Sequence, residues 1–180
     1  YSTLSGIKKW ELKLKGVIDD APVINVLDSL YLVPAKKSLI AVNTVNGQII
    51  WESPLRISAE EYKKYHCIDS VLIIESKEML QAISLLNGNI LWYKTPDYSS
   101  QVIKAEASPL LIDRQEWGSR IILLLKNGVE ICDALSGQTL LNTAMKFSDE
   151  VPVPLESAGK ESIIIRHDKG ALCLNIKDAA

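Results

Sequence analysis

The residues of this 180-residue chain that could do chemistry are few: His66 and His167, and Cys67, Cys132 and Cys173. A nucleophilic side chain needs a base within hydrogen-bond reach, and a zinc site needs ligands in closely spaced pairs. No CxxC pair or Cys/His cluster occurs, so local spacing supplies neither arrangement. Only a pairing of Cys67 or Cys132 with either histidine would leave a candidate nucleophile. His66 lies between Tyr65 and Cys67, and His167 falls in "RHDKG", a turn-like stretch where a solvated polar residue is expected. Each cysteine sits in an apolar segment, which predicts buried, inert thiols. No GxGxxG or GxxxxGK[ST] loop is present to cradle phosphate, and every glycine reads as a hairpin or turn residue. The reading is that the chain is not an enzyme, with no catalytic residue, no cofactor and no metal.

Composition narrows the partners. A formal net charge of -2 with a pI near 5.8 argues against a nucleic-acid face, which would be basic in patches. The lysine pairs Lys8-Lys9, Lys36-Lys37 and Lys63-Lys64 are short and read as solvated turns. The longest apolar run, Ile121 to Leu125, is far below the ~18 residues of a membrane span, so no membrane insertion of this segment is expected. With 47% hydrophobic residues the chain can bury one substantial core and is short for two. It opens on Tyr1 rather than Met, which reads as a processed or excised segment. No Asn-x-Ser/Thr sequon lends support to a lumenal glycoprotein.

What must position any site is a repeat. "LDSLYLVPAKKSLIAVNTVNGQIIW" (27–51) falls without a gap on "IDSVLIIESKEMLQAISLLNGNILW" (68–92), 41 residues on. "YSTLSGIKKW" (1–10) places Gly6 and Trp10 at the same offset upstream. "GSRIILLLKNGVEICDALSGQTLL" (118–141) follows downstream after eight extra residues, with Gly137 in register and Leu141 where Trp would stand. A further copy, "ESIIIRHDKGALCLNIKDAA" (161–180), contains the hairpin and no Trp segment. The units run roughly 1–15, 16–55, 56–96, 97–146 and 147–180 within a single domain. Self-similarity at a period of 20–50 residues marks a solenoid, propeller or array.

Each copy reads as strands. "SLYLV", "SVLII", "RIILLL" and "SIIIR" are short aliphatic runs bounded by polar turns. Lys36-Lys37, Lys77-Glu78, Asn127-Gly128 and Lys169-Gly170 then supply two-residue hairpin loops. The next strand leads to a turn carrying Gly6, Gly47, Gly88 or Gly137, and four residues later a Trp stands on the outgoing strand. A ring repeated once per unit packs between adjacent sheets, so Trp10, Trp51 and Trp92, with Leu141 in the fourth place, are expected in equivalent, largely buried sites. Asp28 and Asp69 recur at one repeat position, which marks them as turn formers.

Two stretches break the repeat. Ser58 and Glu61 form a capping box ahead of "AEEYKKY", which predicts a short helical turn near 58–65. The eight extra residues of the third unit fall around "DRQEWGS" (113–119), a polar loop bearing Trp117. Departures from a repeat map to loops on one face, so Glu60, Tyr62, Tyr65, Arg114, Glu116 and Trp117 are the candidate partner contacts.

A strand ending in "LxAxxxxxG" followed by x-x-x-Trp resembles the repeat of the pyrroloquinoline-quinone-type β-propellers, the quinoprotein-dehydrogenase-like family. "LIAVNTVNGQIIW" and "LQAISLLNGNILW" carry the resemblance. It implies an all-β array of about four antiparallel blades, either a closed ring or an arc of a larger propeller. The family's enzymes hold a quinone through calcium and an Asp base, often beside adjacent cysteines. This chain has no adjacent cysteines, and its recurring acids do not converge. The resemblance therefore implies a non-catalytic interaction or assembly scaffold. The alternative is a self-associating luminal or extracytoplasmic sensor domain of a signalling receptor, with a fragment of a quinone-dependent dehydrogenase as the remaining one, and the partner is accordingly another protein or a second copy. The family setting leans extracytoplasmic, periplasmic or ER-luminal. The ends also complement each other: "IKKWELKL" is a Trp strand without its hairpin, and residues 161–176 are a hairpin without its Trp strand. Residues 7–14 are thus expected to close a four-bladed ring on residues 161–176, or to pair with a second chain.

Overall fold

The computed structural model describes residues 8–16, 23–27, 29–56, 62–76, 79–95, 110–111, 120–125, 128–144, 155–157, 162–167 and 170–175. Among these residues the regular structure is fifteen strands in four antiparallel sheets. The first sheet is the meander β1 (Ile24–Leu27), β2 (Leu30–Ala35), β3 (Ser38–Asn43) and β4 (Ile49–Pro54). The second is β5 (Tyr62–Ile68), β6 (Val71–Ser76), β7 (Leu80–Ser84) and β8 (Ile90–Lys94). The third is β9 (Leu110–Leu111), β10 (Arg120–Leu125), β11 (Gly128–Asp133) and β12 (Thr139–Ala144). The fourth has three strands, β13 (Leu155–Ser157), β14 (Ser162–His167) and β15 (Gly170–Asn175).

The repeat is therefore one sheet per unit, and register follows it. Ala35 pairs with Ser38 across Lys36-Lys37, as a two-residue loop requires. Two other loops sit one residue earlier than expected: Leu125 pairs with Gly128 and His167 with Gly170, so both glycines open the outgoing strand. At Gly128 the reason is space. A Cβ there would lie 2.2 Å from the Thr143 carbonyl oxygen of β12.

The outgoing strands share an irregularity that residue types do not announce. Trp51 pairs with Ala41 but Ile49 with Val42, leaving Ile50 extra. The same bulge leaves Leu91 extra before Trp92, and Leu140 extra before Leu141. A bulge bends and re-aims a strand, here just ahead of the ring that must reach the next sheet.

β3, β7 and β11 are buried on both faces, so that even the polar Gln81 and Glu130 within them are buried. One core lies between the first and second sheets, with Leu30, Leu32, Leu39, Ala41 and Trp51 against Leu72, Ile74, Ile83 and Leu85. A second lies between the second and third, with Val71, Ile73, Leu80, Ala82 and Trp92 against Ile121, Leu123, Cys132 and Ala134. The far face of the first sheet carries Ala35, Ile40 and Val42, covered by Trp10, Leu12 and Leu14.

Two expectations are corrected. Over 62–65 the expected helical turn gives way to a strand, because pairing with β6 and packing of Tyr65 and Cys67 on the first core override local helix propensity; 58–61 lie outside the described residues. The expected pairing of 7–14 with 161–176 is not made among the described residues: 8–14 belong to no sheet there, β15 borders only β14, and Ile7, Glu161 and Ile176 lie outside them.

Candidate functional site

The tryptophans set the geometry from which any surface site is built. Each indole N–H donates to a turn carbonyl of the following sheet: Trp10 to Thr44 at 2.9 Å, Trp51 to Leu85 at 3.0 Å and Trp92 to Ala134 at 2.9 Å. Each ring also lies flat over that turn's glycine, Gly47, Gly88 or Gly137, all with φ near +70°. A Cβ on Gly88 would approach Trp51 Cδ2 to 2.7 Å, so the position demands glycine for both its backbone and its space. Trp51 and Trp92 are buried, while Trp10 and Leu141 are half-buried.

These contacts bring the β3–β4, β7–β8 and β11–β12 turns side by side. Each turn is closed the same way, Gly47 N donating to Asn43 O and Asn43 N to Gln48 O, with the counterparts repeated in the other two. The inner hairpin turn joins the same rim, through Thr44 N to Ser29 O and Leu85 N to Ser70 O. Asp69 sits there with φ 49°, the turn-forming role expected of it. At the tip of each turn one repeat position holds an exposed aliphatic residue: Val45 (69% exposed), Leu86 (76%) and Leu135 (58%). Isolated exposed aliphatics are ordinary, but these three share one repeat position and therefore one rim. Asn46, Asn87 and Ser136 flank the tips, and the described ionisable groups of these turns are Asp69 and Asp133.

Of the six sequence candidates, Glu60, Arg114, Glu116 and Trp117 lie outside the described residues. Tyr62 belongs to β5, so it is a strand residue rather than a loop residue. Tyr65 is also on β5, partly buried against the first core, and burial pushes its phenol up to about 12. The structure thus does not bring these candidates to one described loop. The tip row was missed because Val45, Leu86 and Leu135 look like ordinary turn apolars in sequence. The available signal was their recurrence at one repeat position.

The titratable groups that do meet lie between the second and third sheets. Lys94 Nζ on β8 is 2.6 Å from Glu130 Oε1 on β11, and donates to Thr139 Oγ1 at 2.8 Å and Cys132 Sγ at 3.1 Å. Thr139 in turn donates to Glu130. Burial acts to lower the Lys94 pKa, but its hydrogen bonds to Glu130 and Cys132 outweigh that and hold it above the ordinary lysine value. Burial likewise raises the Cys132 thiol, against the nearby ammonium. This is an ion pair whose members are hydrogen-bonded to Thr139 and Cys132. Elsewhere His66 Nε2 lies 3.2 Å from Glu75 Oε2, facing away from the core that Cys67 contacts. Arg56 stacks 3.9 Å over the Tyr93 ring. The cysteines differ from expectation at one place: Cys132 is buried and Cys67 partly so, but Cys173 is exposed on β15. Among the described residues no group of three His, Cys, Asp or Glu side chains could hold a metal ion, and no helix is long and apolar enough to cross a membrane.

No protein-family model matches the chain, and no curated protein matches it in sequence. Solved structures do. BamB from Moraxella catarrhalis is similar over 84% of this chain and 48% of its own, with a TM-score of 0.57 at 12% identity. Kluyveromyces lactis Hsv2 is similar over 84% of this chain and 43% of its own, with a TM-score of 0.47 at 13% identity. The chain thus spans about half the length of these β-propellers. The likeness to BamB shows the fold: the four sheets are part of a β-propeller.

Proposed function

We propose that this chain is a non-catalytic protein-interaction scaffold, and that the rim of glycine turns is its contact surface. The observation that carries the reading is the row Val45, Leu86 and Leu135, three exposed aliphatic tips held in line by the Trp-to-turn hydrogen bonds. Rigid turns presenting apolar side chains lose little entropy on binding, so such a row suits a preformed protein contact. Its neutral and acidic surroundings suit an anionic nucleic acid or membrane poorly. The Lys94–Glu130 pair supports a structural use of the polar cluster between the second and third sheets.

The test is site-specific photocrosslinking in cells. A photoreactive side chain at position 86 should give discrete protein adducts, and the same group at Glu52, exposed on β4, should not. Adducts in equal yield from both positions, or none from 86, 45 and 135, would overturn the reading.

A further inference from the structure

We propose that Lys94 and Cys132 form an oxidation site, where hydrogen peroxide joins the lysine nitrogen to the cysteine sulfur through one bridging oxygen.

The nitrogen and the sulfur are already in contact. Lys94 Nζ on β8 lies 3.1 Å from Cys132 Sγ on β11, across the interface of the second and third sheets. Two further partners fix the amine, Glu130 Oε1 at 2.6 Å and Thr139 Oγ1 at 2.8 Å. The separation suits one small atom set between nitrogen and sulfur, whereas a direct bond would have to draw them far closer. Cys132 itself is buried, but the Lys94 side chain is 19% exposed and Thr139 is exposed, so the cluster opens to water at its lysine end. An oxidant as small as hydrogen peroxide can enter there.

The repeat does not require this pair. The residues at the same two repeat positions are Leu12 with Val42 and Ser53 with Ile83, and neither couple offers an amine or a thiol. Cys67 packs on the core at the other face of the second sheet, so the neighbour that Cys132 meets is an amine rather than a second thiol. A sulfenic acid formed at such a sulfur condenses with whatever nucleophile lies beside it.

Each bridge consumes two molecules of peroxide. One O–O bond breaks as the sulfur is oxidised by two electrons, and the other as the nitrogen is oxidised by two. New S–O and N–O bonds form to one retained oxygen, and the other three oxygens leave as water. Those waters carry the four peroxide hydrogens, the thiol hydrogen and one amine hydrogen. The proton that Lys94 sheds on becoming an amine passes to the Glu130 carboxylate, 2.6 Å away, and on to solvent. Both reacting groups hold their protons above the ordinary values, so bridging should quicken as pH rises from neutral. The product ties β8 of the second sheet to β11 of the third and closes a loop from 94 to 132, which stabilises the fold as a disulfide does. It involves no residue of the turn-tip row, so this inference and the scaffold reading fail independently.

The experiment treats the whole chain with hydrogen peroxide and maps its peptides by mass spectrometry without reductant. The peptides holding Lys94 and Cys132 should appear linked, about 14 Da heavier than the two together, the mass of one oxygen gained and two hydrogens lost. Dithiothreitol should restore the separate peptides, and the same treatment in urea should give no link. The urea midpoint should rise on oxidation and return on reduction, with no such shift in Cys132→Ser. Recovery of Cys132 only as a thiol or as sulfur acids, with Lys94 unmodified, overturns the proposal. So does a linked pair about 2 Da lighter than its parts, which is a direct nitrogen–sulfur bond. A link formed equally well in urea overturns it too, since the folded contact would then be irrelevant.

Discussion

The indole N–H of Trp51 donates to the carbonyl oxygen of Leu85 at 3.0 Å, and the same ring covers Gly88, so one side chain locks the edge of one sheet to the turn of the next. Removing it should be costly. Trp51→Ala is expected to lose about 3–5 kcal/mol, the range for large-to-small core changes. Trp51→Phe should lose less, keeping most packing and forfeiting the hydrogen bond. Urea denaturation of the three proteins checks the order, and a Trp51→Ala midpoint equal to wild type would refute the packing role.

Gly88→Ala should destabilise through two separable causes, a left-handed backbone and a Cβ driven into the Trp51 ring. The steric part should vanish when the ring is gone. A double-mutant cycle with Trp51→Ala should therefore show a coupling of about 1 kcal/mol or more, beyond the additivity expected of independent sites. Strict additivity would mean that the backbone alone requires glycine.

Lys94 and Glu130 are paired with their side chains mostly out of water. Lys94→Met alone should cost about 3 kcal/mol, because Glu130 is left buried and unpaired, whereas Lys94→Met with Glu130→Leu should recover much of the loss. Chemical denaturation of the single and double variants decides it; a double variant no better than the single one contradicts this account.

Stability should decline in alkali. Lys94, Cys132 and Tyr65 all have folded pKa values raised above their ordinary 10.5, 9.0 and 10.0, so the folded state binds these protons more tightly than the unfolded chain does. Their contribution is complete below the lowest unfolded value, near pH 9, and is lost as pH rises through the folded values. Urea midpoints taken from neutral to alkaline pH should fall from about pH 9 upward, and Lys94→Met should fall less steeply.

Leu86→Ser should leave the unfolding free energy from urea denaturation within about 0.5 kcal/mol of wild type, as exposed substitutions do. A large loss would make Leu86 a core residue and remove the tip row as a surface.

One pair of repeat positions changes character from sheet to sheet. Leu12 meets the cluster holding Ile40; Ser53 has its place in the next interface beside Gln81; Lys94 pairs with Glu130 in the third. The first is apolar, the second neutral polar, the third charged. Gln81 is satisfied by Pro54 O and Arg56 N, while the buried Ser53 hydroxyl has no partner among the described residues. A charge set opposite an apolar or neutral counterpart would be buried unpaired, so this progression disfavours stacking the sheets in another order.

The sequence alone determined the unit. A 41-residue period, short aliphatic runs and glycines four residues before Trp10, Trp51 and Trp92 were enough to place one antiparallel sheet per repeat, because turn chemistry and strand patterning act over a few residues. It also determined that the ring at Trp51 and Trp92 packs between sheets, since a large apolar side chain recurring once per unit has no other place to be buried. Tertiary structure decided what depends on neighbours distant in sequence. Pairing with β6 made a strand of Tyr62–Ile68 despite its helical composition, and the bulge at Ile50 arises from the need to aim Trp51 across an interface. The Lys94–Glu130 pair joins residues that no local spacing connects, and the exposure of Cys173 follows from the absence of a sheet against β15 among the described residues. Local propensity is a matter of tenths of a kcal/mol to about one kcal/mol per residue, whereas the burial of a strand between two sheets is worth several, so wherever the two disagreed, packing prevailed.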